Sequence, residues 1–266
     1  MALPGLGAVL AEGGVPAPGV ALLGVVAAAA GSYAILALND VLTRRSVLAP
    51  WAGGRRAARR EHPWRPADDE YSRLATAAVV ALAVLCAAIS YALSPLCLLL
   101  VAVVAGLHVV RCLTRSAYVA VVAFGAACGL AGLAGWAAVA PLSPRALTVA
   151  AFLGLWGAGC RMADDLAHHD GLEATGTVAA AFGPVSVARA DCVVGFAALA
   201  AVVTLPMAAM LNDVAMVLGV VVVAWPGARL WYRPSRAEAA AYHHSAMVYP
   251  TVVLVVALAP ALVRAL

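Results

Sequence analysis

Lysine is absent from this 266-residue chain, charged residues make up only 11% of it, and aromatic residues only 6%. All 17 basic positions are arginine, the usage expected of a GC-rich bacterial genome, and it carries no functional reading. The scarcity of charge excludes an ordinary soluble globule: 65% of residues are hydrophobic and the mean hydropathy is +0.96. Ala, Val, Leu and Gly carry that excess, which suits membrane helices packed closely through small side chains. No cysteine pair has CxxC spacing; Cys86, Cys97, Cys112, Cys128, Cys160 and Cys192 all fall in or beside apolar runs. Free cysteines of that kind behave as small buried hydrophobes, so neither disulfides nor a zinc site is expected. Met1–Ala11 lacks a basic region and a convincing cleavage site, so no secretory signal peptide is expected. No polar extension is long enough for a second domain, and a single domain over 1–266 is expected.

Apolar windows of about 17–25 residues mark membrane helices. Eight stand out, at roughly 18–38, 74–93, 95–110, 117–139, 147–161, 192–211, 214–231 and 247–264. Ser94-Pro95, Pro141–Pro144 and Asn212-Asp213 punctuate them, and weakly apolar Met1–Ala11 reads as the remnant of a ninth helix. The expected fold is all-α, a polytopic transmembrane bundle of eight to nine helices. Arginine placement tests that count. If the chain leaves its first span at Asn39 on the cytoplasmic side, the loops 39–73, 111–116, 161–191 and 229–246 share one face. Those loops hold 15 of the 17 arginines, and the opposite face receives only Arg145 and Arg264. That asymmetry is a positive-inside signal and makes the expected location the cell membrane, with the polar loops cytoplasmic. The run Arg55–Arg60 then reads as attraction to anionic lipid headgroups, with no nucleic-acid partner expected.

The most informative stretch is Arg161-Met-Ala-Asp164-Asp165-Leu-Ala-His168-His169-Asp170-Gly171. It gathers three carboxylates and two imidazoles between apolar runs. Such groups cannot sit in hydrocarbon without partners; they must face water, a cavity or a cation. Clustered carboxylates at a membrane surface suit Mg²⁺, a hard ion that takes oxygen ligands and shares them with substrate phosphates. His168 and His169 could ligate a transition metal, but zinc sites usually show spaced ligands; a hydrogen-bonding or diphosphate-contacting role fits His168 better. A second constellation, Asn39-Asp40-Val-Leu-Thr43-Arg44-Arg45, closes the first full span, where it reads either as a site or as a polar helix terminus. A third, Arg111 and Arg115, lies one turn apart on a connection and could clamp phosphate through bidentate hydrogen bonds or serve as orientation charge. His243-His244 beside Tyr242 reads as an interface pair.

This arrangement resembles the UbiA superfamily of intramembrane prenyltransferases. That family has about nine helices around a lipid-open cavity. Two Asp-rich motifs on its cytoplasmic side hold Mg²⁺ and the diphosphate of an isoprenyl donor. Its first motif runs roughly NDxxDxxxD. Here Asn39-Asp40 keeps the opening, but Thr43 and Val47 stand at the later acidic positions. Trp64-Arg65-Pro66-Ala-Asp68-Asp69-Glu70 is similar to the arginine-proline segment that follows it. Asp164-Asp165-Leu-Ala-His168 stands at the start of the second motif. Asp170 to Thr177 and the closing Gly183 reproduce its spacing, with Ala174 in place of a common Gly and two residues missing between the blocks. Arg111-Cys-Leu-Thr-Arg115 echoes the family's central basic segment. The likeness covers nearly the whole chain apart from the first helix.

What the resemblance implies is transfer of an isoprenyl group from a polyprenyl diphosphate donor to an aromatic or lipid acceptor, with Mg²⁺ and release of diphosphate. Asp40, Asp165 and Asp170 would be the catalytic carboxylates. Together with Asp164 they would be the metal ligands, while Asn39, Arg111, Arg115 and His168 would bind substrate. A terpene cyclase of the same family, quenching the cation within the donor chain, would use the same machinery. Scarce aromatics argue against that cyclase, because cations in such cavities are stabilised by aromatic faces. A third alternative is a non-catalytic membrane protein that kept the fold and lost the first motif.

Overall fold

A computed structural model describes residues 2–44, 68–114, 116–167 and 178–265. Among the described residues all regular structure is helical. The helices are α1 (Ala2–Glu12), α2 (Pro18–Arg44), α3 (Asp68–Leu93), α4 (Pro95–Leu113), α5 (Ala117–Ala137) and α6 (Pro144–Ala167). They continue as α7 (Val178–Phe182), α8 (Pro184–Val203), α9 (Ala209–Gly219), α10 (Trp225–Tyr232) and α11 (Arg236–Ala265). Among the described residues, eight segments are long and apolar enough to cross a membrane, α9 and α10 forming one of them through a π-helical turn at Val220–Ala224. That turn has a local cause. Pro226 has no N–H to give the ladder, and the preceding Trp225 N–H reaches back to the Val220 carbonyl.

The helix starts follow the sequence chemistry. Ser94 caps α4 by accepting from the Leu96 N–H at 3.2 Å, and Pro95 occupies the first turn, where no N–H is needed. Ser116 caps α5 in the same way, accepting from Val119 N–H at 3.4 Å. Gly183 takes φ +81° before Pro184, a left-handed setting that only glycine adopts without strain.

Most of the expected windows move at one end or both. The window expected at 192–211 is α8, which begins at Pro184; Arg189 and Asp191 depress hydropathy in its first half without breaking the helix. The window expected at 147–161 runs on to Ala167, because Arg161, Asp164 and Asp165 pair with one another. The window expected at 247–264 begins at Arg236. Arg161 and Arg189, expected in a loop, therefore lie inside helices.

The most extensive packing is between α5 and α6. A Cβ on Gly125 would meet the Gly154 carbonyl at 2.8 Å, and one on Gly129 would meet the Ala150 carbonyl at 2.6 Å. Small residues thus bring the two backbones together, as in membrane helix pairs that associate by close packing. The short helix α1 lies against α5 and α11, burying Leu6, Val9 and Leu10. On the other side of the bundle, Phe152 of α6 meets Tyr249 of α11 edge-to-face at 6.1 Å. Tyr249 Oη in turn donates to the Ala215 carbonyl of α9 at 2.8 Å. Eight such spans crossing in alternation would bring the ends of α2, α4, α6 and α10 to one face.

Candidate functional site

The polar end of α6 is built by helical spacing. Arg161 precedes Asp164 and Asp165 by three and four residues, so all three side chains share one side of the helix. Its Nη1 lies 2.9 Å from Asp164 Oδ2 and its Nη2 lies 2.7 Å from Asp165 Oδ1. The cluster is graded in exposure: the Asp165 side chain is 5% exposed, Arg161 10% and Asp164 34%. One guanidinium thus bridges the two carboxylates. Arg161 Nε is also buried and has no hydrogen-bond partner among the described residues. Arg161, counted with the 161–191 loop in the sequence, is instead a buried helical residue held in two short ion pairs.

Below this cluster, α11 and α8 are fastened to α6. His243 Nδ1 lies 3.0 Å from the Cys160 carbonyl, and Trp156 Nε1 donates to the Ala246 carbonyl at 2.6 Å. Asp191 of α8 is fully buried, and neither of its oxygens has a hydrogen-bond partner among the described residues. It fits because Gly159 leaves room: a Cβ there would come within 3.0 Å of Asp191 Oδ1. One turn further along α8, Gly195 leaves the same kind of room for the Tyr242 hydroxyl. A small cavity lined by Trp156, Gly159, Gly195, Val223 and Tyr242 lies between these helices. Asp191 stands one residue outside the apolar window at 192–211, and an acid amid an apolar run was its signal in the sequence.

The other expected residues divide into two groups. Arg111 ends α4 with its guanidinium 5.2 Å from the centre of the Phe124 ring, which His108 also meets edge-on at 6.3 Å. A cation held on an aromatic face keeps a fixed place while its N–H edge stays free to bind. Arg111 is thus anchored to α5, whereas Asp164 and Asp165 are gathered by Arg161 on α6. Asn39 and Asp40 lie near the end of α2, but their side chains fall outside the described residues, as do Arg115, His168 and Asp170 entirely.

A divalent ion can be tested against the donors that are described. Carboxylate oxygens are the hard ligands that Mg²⁺ takes, so Asp164 and Asp165 fit it chemically. No group of three or more His, Cys, Asp or Glu is gathered among the described residues. The remaining ligands would have to come from Asp40, Asp170, substrate oxygens or water.

Fold and site together define a polytopic helical membrane protein with an acidic-arginine cluster at one end of a central span. The UbiA prenyltransferase family matches residues 1–249, and the chain belongs to that family. It is thus an intramembrane protein of the prenyltransferase type. A solved structure described as the apo form of a UbiA homolog from Aeropyrum pernix K1 has the same fold. The match has a TM-score of 0.73 at 19% identity and covers 96% of each chain. No curated protein matches the chain.

Proposed function

We propose that this single-domain protein transfers an isoprenyl group from a polyprenyl diphosphate to an aromatic or lipid acceptor, with Mg²⁺ bound and diphosphate released at the cytoplasmic face. The observation that carries the reading is the Asp164–Arg161–Asp165 cluster, closing a buried span of a UbiA-family bundle. Asp165 and Asp170, then Asp164 and Asp40, would hold the ion. Mg²⁺ would act there as a Lewis acid, easing departure of the diphosphate. Asn39, Arg111, Arg115 and His168 would hold phosphate oxygens and fix the donor so that its reacting carbon points into the bundle. In the transfer, the carbon–oxygen bond to diphosphate breaks and its electron pair leaves with the phosphate. The acceptor then forms the new bond and gives up a proton. Preorganised cations facing the leaving group favour that charge separation over the ground state.

One observation favours a non-catalytic reading instead. Arg161 already partly neutralises the two acids that the family uses for metal, and Thr43 and Val47 leave the first motif a single carboxylate. A direct assay separates the readings. Purified protein is given Mg²⁺ with geranyl, farnesyl or geranylgeranyl diphosphate, and diphosphate release and product mass are followed. Transfer predicts release that depends on added acceptor. Release with a cyclised product and no acceptor would identify a cyclase. No release from any donor, with or without acceptors, would leave the non-catalytic reading.

A further inference from the structure

The Arg161 guanidinium is a cation already seated where the second acidic motif would receive a metal. It holds one oxygen of Asp164 at 2.9 Å and one of Asp165 at 2.7 Å, and it is nine-tenths buried. A divalent ion arriving alone must share those two carboxylates with it. That sets a second cation beside a buried guanidinium with no added counter-charge, which is unfavourable in a low-dielectric site. A diphosphate changes the balance, because its oxygens are acceptors that a guanidinium fork binds in bidentate fashion. Arg161 also has a donor to spare, since its buried Nε lacks a partner among the described residues. We propose that Arg161 is a resident counter-cation that keeps Asp164 and Asp165 closed to a lone divalent ion. The donor's diphosphate draws the guanidinium off, so that ion and diphosphate enter together. The proposal rests on the prenyl-diphosphate reading above.

Such a device couples two ligands through one side chain, and the coupling is reciprocal: whatever diphosphate does for metal affinity, metal does for diphosphate affinity. It also sets an order of loading, since the bundle without donor keeps its acids paired internally and does not collect divalent ions.

The test is Mn²⁺ binding followed by electron paramagnetic resonance on the full chain in lipid nanodiscs, with and without inorganic pyrophosphate. Asp165→Asn measured in parallel corrects for Mn²⁺ complexed by pyrophosphate in solution. In wild type, pyrophosphate should tighten Mn²⁺ binding about tenfold or more, within the usual range of coupling between sites. In Arg161→Gln, Mn²⁺ alone should bind about tenfold tighter than in wild type, and pyrophosphate should add less than about twofold. Arg161→Lys keeps a charge but loses the fork, and should fall between the two if Arg161→Gln does not fold. Wild type binding Mn²⁺ as tightly without pyrophosphate as with it would overturn the Arg161 proposal while leaving the prenyl-diphosphate reading standing. Wild type binding no Mn²⁺ under either condition would overturn both.

Discussion

Arg161 shows why single residues in this chain are hard to judge from sequence. Spaced three and four positions before two aspartates, it had the right offset for an ion pair, yet near a span end it was equally an orientation charge. Only its burial and the 2.9 and 2.7 Å contacts distinguish the two roles. Asp164 and Asp165 were legible because acids are costly in an apolar chain and stand out. Asp191, as costly and more deeply buried, was missed by one position of a hydropathy window. At this scale the metal assignment makes a graded prediction for Asp165 and Asp170. Alanine at either should abolish diphosphate release while leaving the protein folded in membranes. Asparagine should cost less, since it keeps an oxygen ligand and loses only the charge. Wild-type turnover in both alanine variants would sink the assignment.

Among the elements, the existence of the spans was readable and their ends were not. Hydropathy averages over a window, whereas helix ends are set by single residues such as Ser94, Ser116 and Gly183, and by charges that satisfy one another inside a helix. The order of packing was not readable either, because glycines are spread through the chain and only some meet another backbone. Gly129 and Gly106 make that contrast testable. A Cβ at Gly129 would press on the Ala150 carbonyl, while one at Gly106 would meet nothing within 4 Å. Gly129→Val should therefore destabilise the α5–α6 pair by about 1–3 kcal/mol, the usual cost of overpacking, and lower the melting temperature of the purified protein. Gly106→Val should leave it nearly unchanged. Equal melting temperatures for the two variants would show that the seam tolerates side chains and is not what fixes α6.

For the whole molecule, the family and its helical bundle were recognisable from the order and spacing of motifs. Whether the two motifs meet was not, since they are separated by more than a hundred residues and four intervening crossings. Sidedness is the first condition for a shared site. Accessibility tags in the 48–62 loop, after Glu173 and after Arg236 should all report cytoplasmic, and a tag near Pro144 the opposite side, as the arginine asymmetry requires. A Pro144 tag on the same side as Glu173 would overturn both the crossing count and the shared face.

The central claim is that both halves of the bundle serve one diphosphate site, α6 through Asp165 and α2 through Asp40, its only acid. Prenyl diphosphate affinity, measured with and without Mg²⁺ in wild type, Asp40→Ala and Thr43→Ala, tests it most directly. The account predicts that wild type binds the donor more tightly with Mg²⁺, that Asp40→Ala loses most of that gain, and that Thr43→Ala keeps it. An Asp40→Ala protein with the full Mg²⁺-dependent gain would contradict it, leaving Asn39-Asp40 as no more than the polar end of a helix.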